Sequence, residues 1–196
     1  MLLIANIGAY LLETLEPGLL IGLALWPLGT AQAFPPAPVG AHFQPWQLVT
    51  YAFLHGNLLH IALNMYGLWL FGVRMEQVWG SRAFLIFYFV CVVGAGLTQL
   101  LFTSLSGQIY PTIGASGGVF GLLLAFGMTF PEERLMLVFP PVILKAKWFV
   151  VLYGAIELWA GVTGTQAGVA HFAHLGGMAF GYFLIRYWRE NPPALR

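Results

Sequence analysis

No charged residue interrupts the chain between Arg82 and Leu105, and an uninterrupted apolar run of about 20 residues is what an α-helix needs to cross a bilayer. Similar runs recur along the sequence, bounded by Pro, Gly and charge. Of the 196 residues, 59% are hydrophobic and 8% charged, against about 25% charged in an ordinary soluble domain. A water-soluble globule is excluded on that ground. A net charge of +1 gives no basic field, which excludes nucleic acid as a partner. The single cysteine, Cys91, allows neither an internal disulfide nor a Cys-rich zinc or iron–sulfur site. The expected class is all-α: one integral membrane domain over residues 1–196, with the lipid bilayer as its first partner.

The clearest spans run from Asn57 to Glu76, with Asn57 placed to cap the helix after Gly56, then Arg82 to about Leu105, Trp148 to about Val162 and Gly168 to about Tyr187. A shorter one extends from about Ala115 to Phe130 and stops at Pro131. The N-terminal run, residues 2–16, has only about a dozen apolar residues, short for a span. Either that helix tilts and thins the bilayer, or the native chain is longer there. No basic n-region with an A-x-A cleavage pattern occurs, so all six segments are expected to be retained. Residues 17–56 form a long first connection that contains "FPPAP" (Phe34 to Pro38). It ends in "FQPWQLVTYAFLH", whose mixed pattern suggests a helix lying in the interface.

All eight basic residues, Arg74, Arg82, Arg134, Lys145, Lys147, Arg186, Arg189 and Arg196, fall in alternate connections. Residues 14–56, 103–114 and 163–168 contain none. The positive-inside rule then puts both termini in the cytoplasm and the long first loop on the other side. No inverted repeat of the kind found in many transporters is present.

Polar groups inside a span cost about 2.5 to 3.5 kcal/mol each on insertion scales and call for an explanation. His60, Asn64, Ser116 and His174 are such groups. Counted at about 1.5 Å per residue from the cytoplasmic ends, Ser116 lies roughly 21 Å from Phe130, His174 roughly 18 Å from Arg186 and His60 roughly 21 Å from Arg74. Asn64 follows His60 one turn deeper on the same face. Three helices thus present polar groups at one level of the outer leaflet. The span beginning at Ala115 is too short to reach the surface, so "QIYPTIGAS" (Gln108 to Ser116) should descend as non-helical backbone towards a wet depression.

Gly177 and Gly181 follow His174, and Gly117, Gly118 and Gly121 follow Ser116. Two small-residue faces can therefore pack closely enough to bring imidazole to hydroxyl. Serine becomes a nucleophile when a base within about 3 Å takes its proton, and histidine is the usual base. The Ser116 backbone N–H, the Asn64 amide and the His60 ring are donor types suited to a developing oxyanion, each worth about 10²- to 10³-fold in rate.

Four segments, "HGNLLHIALN" (His55 to Asn64), "GVRMEQVWGS" (Gly72 to Ser81), "GASGG" (Gly114 to Gly118) and "AHFAHLGGMAFG" (Ala170 to Gly181), occur in an order that closely resembles the rhomboid family of intramembrane serine proteases, from about Trp46 to Gly181. The resemblance implies a bacterial-type six-helix core in a bacterial cell or inner membrane. It also implies a Ser–His dyad opening to the extracytoplasmic side, and transmembrane segments of other proteins as substrates. By that resemblance Ser116 is the nucleophile, His174 the general base, and His60 and Asn64 the oxyanion pair. Gly114 is the glycine two residues before the serine, His55 the upstream histidine, and Glu76 the acid that ties down the loop after the second helix. Gln47 departs from the Trp-Arg of many members, which puts Arg-dependent anchoring of the first loop in doubt. Glu157 falls where the family's lateral gate is thought to lie.

The chain has no aspartate, so a Ser–His–Asp triad cannot form. His174 is then oriented by packing, by a neighbouring polar group or by Glu157, the last reading chiefly as a buried structural or gate-lining acid. "GASGG" also fits the nucleophile elbow of soluble hydrolases, which needs a strand and a parallel sheet not expected here. His171, three residues before His174, reads as a cavity-lining histidine, with a metal pair as the alternative. His55 either ends the interfacial helix or shapes the active site. Cys91 reads as a small core residue and the Trp residues at span ends as interface anchors. Two other functions remain as alternatives. One is a catalytically silent rhomboid-like binding or chaperone protein. The other is a metal or haem protein ligated by His55, His60, His171 and His174. H-E-x-x-H is absent, which disfavours a zinc protease. Ser–His acyl transfer needs no cofactor and no metal, and none is expected.

Overall fold

Helix boundaries follow the punctuation of the sequence. The computed structural model describes residues 1–30, 38–136, 141–165 and 169–193; residues 34–37 of the proline-rich stretch, Gly168 and Arg196 lie outside these. Helix α1 (Leu2–Leu15) stops before Pro17, and α2 (Leu19–Leu23) is a single turn further on. Helix α3 (Gln47–Thr50) runs into a 3-10 turn, Tyr51–Phe53, a short form of the interfacial helix expected there. Helix α4 (Leu58–Gly67) is capped by Asn57, whose side chain accepts from the His60 N–H at 2.8 Å.

A π-helical stretch, Leu68–Gly72, carries α4 directly into α5 (Val73–Ser106). The connection expected between residues 76 and 82 is compressed to one break at Gly80, where φ is 77° and ψ 160°. Glycine alone takes that conformation cheaply. The Glu76 carboxylate accepts from the Ser81 hydroxyl across the break at 2.6 Å. Helix α6 (Ser116–Thr129) ends before Pro131, α7 (Ala146–Thr163) ends at Gly164 with φ 67°, and α8 covers His171–Glu190. It outruns the apolar stretch because hydropathy marks where a bilayer would end, whereas the helix continues through Arg186 and Arg189.

Among the described residues the class is all-α apart from one unforeseen antiparallel strand pair, β1 (Arg134–Met136) with β2 (Ile143–Lys145), in which Arg134 lies opposite Lys145. Glu132 binds Lys145 at 2.6 Å and also Lys147, and Arg74 of α5 reaches Glu133 at 3.3 Å. These charges gather at one end of the bundle. Among the described residues the run Leu58–Ser106 is long and apolar enough to cross a membrane; Leu2–Leu15 and Ser116–Thr129 are apolar but shorter. Large apolar side chains such as Leu59, Leu63, Leu101, Val151 and Trp159 point outward, as expected of a surface solvated by lipid.

The core lies among α5, α6 and α8. Phe87, Tyr88, Cys91 and Val92 of α5 pack on Leu122 and Phe126 of α6. A Cβ on Gly121 would lie 2.3 Å from the Cys91 Sγ, and one on Gly181 3.1 Å from it, so the thiol fills the space that the glycines leave. The connection from Gly107 to Ala115 is non-helical, and Thr112 and Ala115 in it are buried. Thr112 exchanges two backbone hydrogen bonds with Leu25, at 3.0 and 2.9 Å, and the Gly114 N–H donates to the Tyr51 carbonyl at 2.9 Å. Buried irregular backbone is thereby satisfied by the first connection.

Candidate active site

Ser116 is the first residue of α6 and His174 lies in the first turn of α8. The backbone contact between Gly117 and Gly177 brings them together. The Ser116 hydroxyl and the His174 Nε2 are 2.7 Å apart. The imidazole is held on three sides: its face stacks on Phe120 at 4.3 Å between ring centroids with 6° between planes, and its Nδ1 donates to the Glu157 carboxylate at 2.8 Å. With Nδ1 protonated, the Nε2 lone pair faces the hydroxyl, the tautomer required of a general base.

Glu157 is buried on α7 and turned towards α8. The same oxygen, Oε2, also accepts from the His171 Nδ1 at 2.7 Å, while the His171 Nε2 lies 3.2 Å from the Thr165 carbonyl. The acid assigned from sequence to the gate or to structure is thus the partner of both histidines. A depth count would have placed it at the right level, though not on the right face: from Lys147, Glu157 lies roughly 15 Å up its helix, within a turn of the level of His174. The donor atoms of Glu157, His171 and His174 lie within 4.8 Å of one another, a set that suits zinc in kind. Its contacts of 2.7 and 2.8 Å are hydrogen-bond lengths, shorter than the separation of about 3.3 Å between ligands around a tetrahedral zinc ion.

The N–H groups of Ser116, Gly117 and Gly118 open α6 and have no partner within the helix, the situation that makes a helix start an anion site. Gly114, at φ 122°, lies between the serine and His60: a Cβ there would be 2.7 Å from the His60 Nε2 and 3.7 Å from the Ser116 Oγ. His60 therefore flanks the hydroxyl from α4. Asn64 is buried, and its amide donates to the His60 carbonyl at 3.1 Å, along its own helix. The His55 ring meets the His60 ring edge-on at 5.1 Å, and its backbone N–H donates to the Glu13 carboxylate at 2.8 Å. His55 thus packs on His60, with its further contacts to Glu13 and Phe53.

The first connection is anchored without an arginine. Gln47 is fully buried; its Oε1 accepts from the Trp26 and Gln44 N–H groups, each at 3.2 Å, and its Nε2 donates to the Gly22 and His42 carbonyls at 3.3 and 3.1 Å.

A family model described as the Rhomboid domain matches residues 42–191. Presenilin-associated rhomboid-like protein A, mitochondrial, of Danio rerio is 30% identical over 161 residues, covering 76% of this chain and 40% of the relative. RHOMBOID-like protein 4 of Arabidopsis thaliana is 32% identical, with coverages of 71% and 33%. For Rhomboid protein 1, mitochondrial, of Saccharomyces cerevisiae the figures are 31%, 66% and 38%. The aligned region spans 40% or less of these relatives' length. Two of the three carry a mitochondrial name, and the bacterial membrane expected from the sequence finds no support among them.

Proposed function

The chain belongs to the rhomboid family, and from that premise we propose that it is an intramembrane serine endopeptidase that cuts transmembrane segments of other membrane proteins. Helices α1, α6, α7 and α8, with the two halves of α5 and its α4 extension, make six spans. Both termini face the cytoplasm and the site opens to the opposite side. The observation that carries this reading is the 2.7 Å approach of the Ser116 hydroxyl to the His174 Nε2.

In this reading the Ser116 Oγ attacks the scissile carbonyl as His174 Nε2 takes its proton. The oxyanion is held by the Ser116 and Gly117 N–H groups and by the His60 ring. Asn64 joins them by releasing the His60 carbonyl, since catalytic hydrogen bonds often form only in the complex. The imidazolium then protonates the leaving amine, C–N cleavage leaves an acyl-serine, and water activated by the same histidine releases the acid.

The test is cleavage of a reporter transmembrane substrate in liposomes by wild type, Ser116→Ala and His174→Ala. Loss in both variants, unchanged cleavage with EDTA, and fluorophosphonate labelling of wild type alone are the expected results. A folded wild type that neither cleaves nor labels would favour a silent binding protein instead.

A further inference from the structure

Both ring nitrogens of His171 face oxygens that only accept: the Glu157 carboxylate at Nδ1, 2.7 Å, and the Thr165 carbonyl at Nε2, 3.2 Å. A neutral imidazole has one N–H and leaves one of these contacts lone pair against lone pair; the imidazolium satisfies both. His174 differs, because its Nε2 faces a hydroxyl that can donate. The charge of Glu157 also needs an answer. An isolated carboxylate among buried side chains is costly, and among the described residues the ion-pair partners of Glu157 are His171 and His174. His174 has to be neutral to act as the base, which leaves His171 as the counter-ion. It borders a cavity of about 280 Å³, lined also by Gln99, Tyr110 and Thr165.

We propose that His171 is an imidazolium that keeps Glu157 ionised, and that Glu157 is thereby the positioning residue that fixes His174 in its catalytic tautomer. This rests on the protease reading above and extends its dyad to a Ser116–His174–Glu157 triad with a histidine counter-ion. Without the counter-ion, Glu157 takes up a proton and becomes a donor. Its hydroxyl then bonds the His174 Nδ1, the ring proton moves to Nε2, and the lone pair aimed at Ser116 is gone. Among the described residues the titratable groups around the pair are Tyr153 on α7 beside Glu157, His174 on α8, His60 on α4 facing His174, and Tyr110 after α5 across the cavity.

The test compares pH–rate profiles for substrate cleavage and fluorophosphonate labelling from about pH 5.5 to about pH 9.5. Wild type, His171→Asn, Glu157→Gln and the double variant are used. His171→Asn keeps a donor for Glu157 but carries no charge. Its kcat at neutral pH should fall about 10- to 100-fold with KM unchanged, and recover as alkali ionises Glu157. In Glu157→Gln the amide oxygen accepts the hydrogen bond of the His174 Nδ1–H without needing a charge, so adding His171→Asn to it should cost no more than about twofold. Equal melting temperatures in detergent establish that each variant is folded, and His171→Gln serves should His171→Asn not assemble. A His171→Asn profile superimposable on wild type, or an equal loss in the Glu157→Gln background, overturns the proposal while leaving the protease reading standing. A wild type that neither cleaves nor labels overturns both.

Discussion

A Cβ atom on Gly177 would lie 2.0 Å from the carbonyl oxygen of Gly117, so the helices that carry His174 and Ser116 touch backbone to backbone. No rotamer change relieves a clash with main chain. Gly177→Ala should therefore force α8 from α6, costing about 3 kcal/mol, and fluorophosphonate labelling of Ser116 should fall with it. Gly154→Ala is the control. Its Cβ would meet the Met178 Cε at an ordinary 3.6 Å, and thermal unfolding in detergent should show it neutral or slightly stabilised.

Gly114→Ala separates the site from the fold. Its backbone sits at φ 122° and its added Cβ would meet the His60 Nε2 at 2.7 Å, so the imidazole has to move. We expect kcat/KM to fall about 100-fold, the worth of an oxyanion donor, with the melting temperature lowered by a few degrees. An unchanged rate would remove His60 from the oxyanion role.

Gln47→Leu tests the anchor of the first connection. It leaves the Trp26 and Gln44 N–H groups and two carbonyls without their partner, at about 1 to 3 kcal/mol for each buried group left unpaired. A loss of about 3 kcal/mol in unfolding free energy is expected. Proteolysis near residues 20–30 should become faster at temperatures where the rest of the chain is intact.

Acid should loosen the end of the bundle that carries the strand pair. Lys145 and Lys147 hold the Glu132 carboxyl down at about 2 from an ordinary 4.5. A depressed acid contributes stability above its unfolded value and loses it as pH falls through the folded one, so the window is about pH 4.5 to 2. The group is exposed, so the effect is small and fades in high salt. Unfolding midpoints of wild type and Glu132→Gln should converge between pH 5 and pH 2.5.

What the chain states locally, it states well. An apolar run, its caps and its breakers act within a few residues, so the helical class, the Asn57 cap, the stop at Pro131 and the common level of His60, Ser116 and His174 follow from hydropathy and a rise of about 1.5 Å per residue. The same count places Glu157 at that level too. Counting fixes height along a helix and leaves rotation about its axis open. Whether Glu157 faced lipid, a gate or the histidines, whether the Asn64 amide pointed at Ser116 or at its own backbone, and whether Gln47 could replace an arginine were set by how α7 and α8 pack and by contacts between residues far apart in sequence. Those are decisions of tertiary structure, because azimuth and long-range hydrogen bonding depend on which neighbour fills the space beside each side chain.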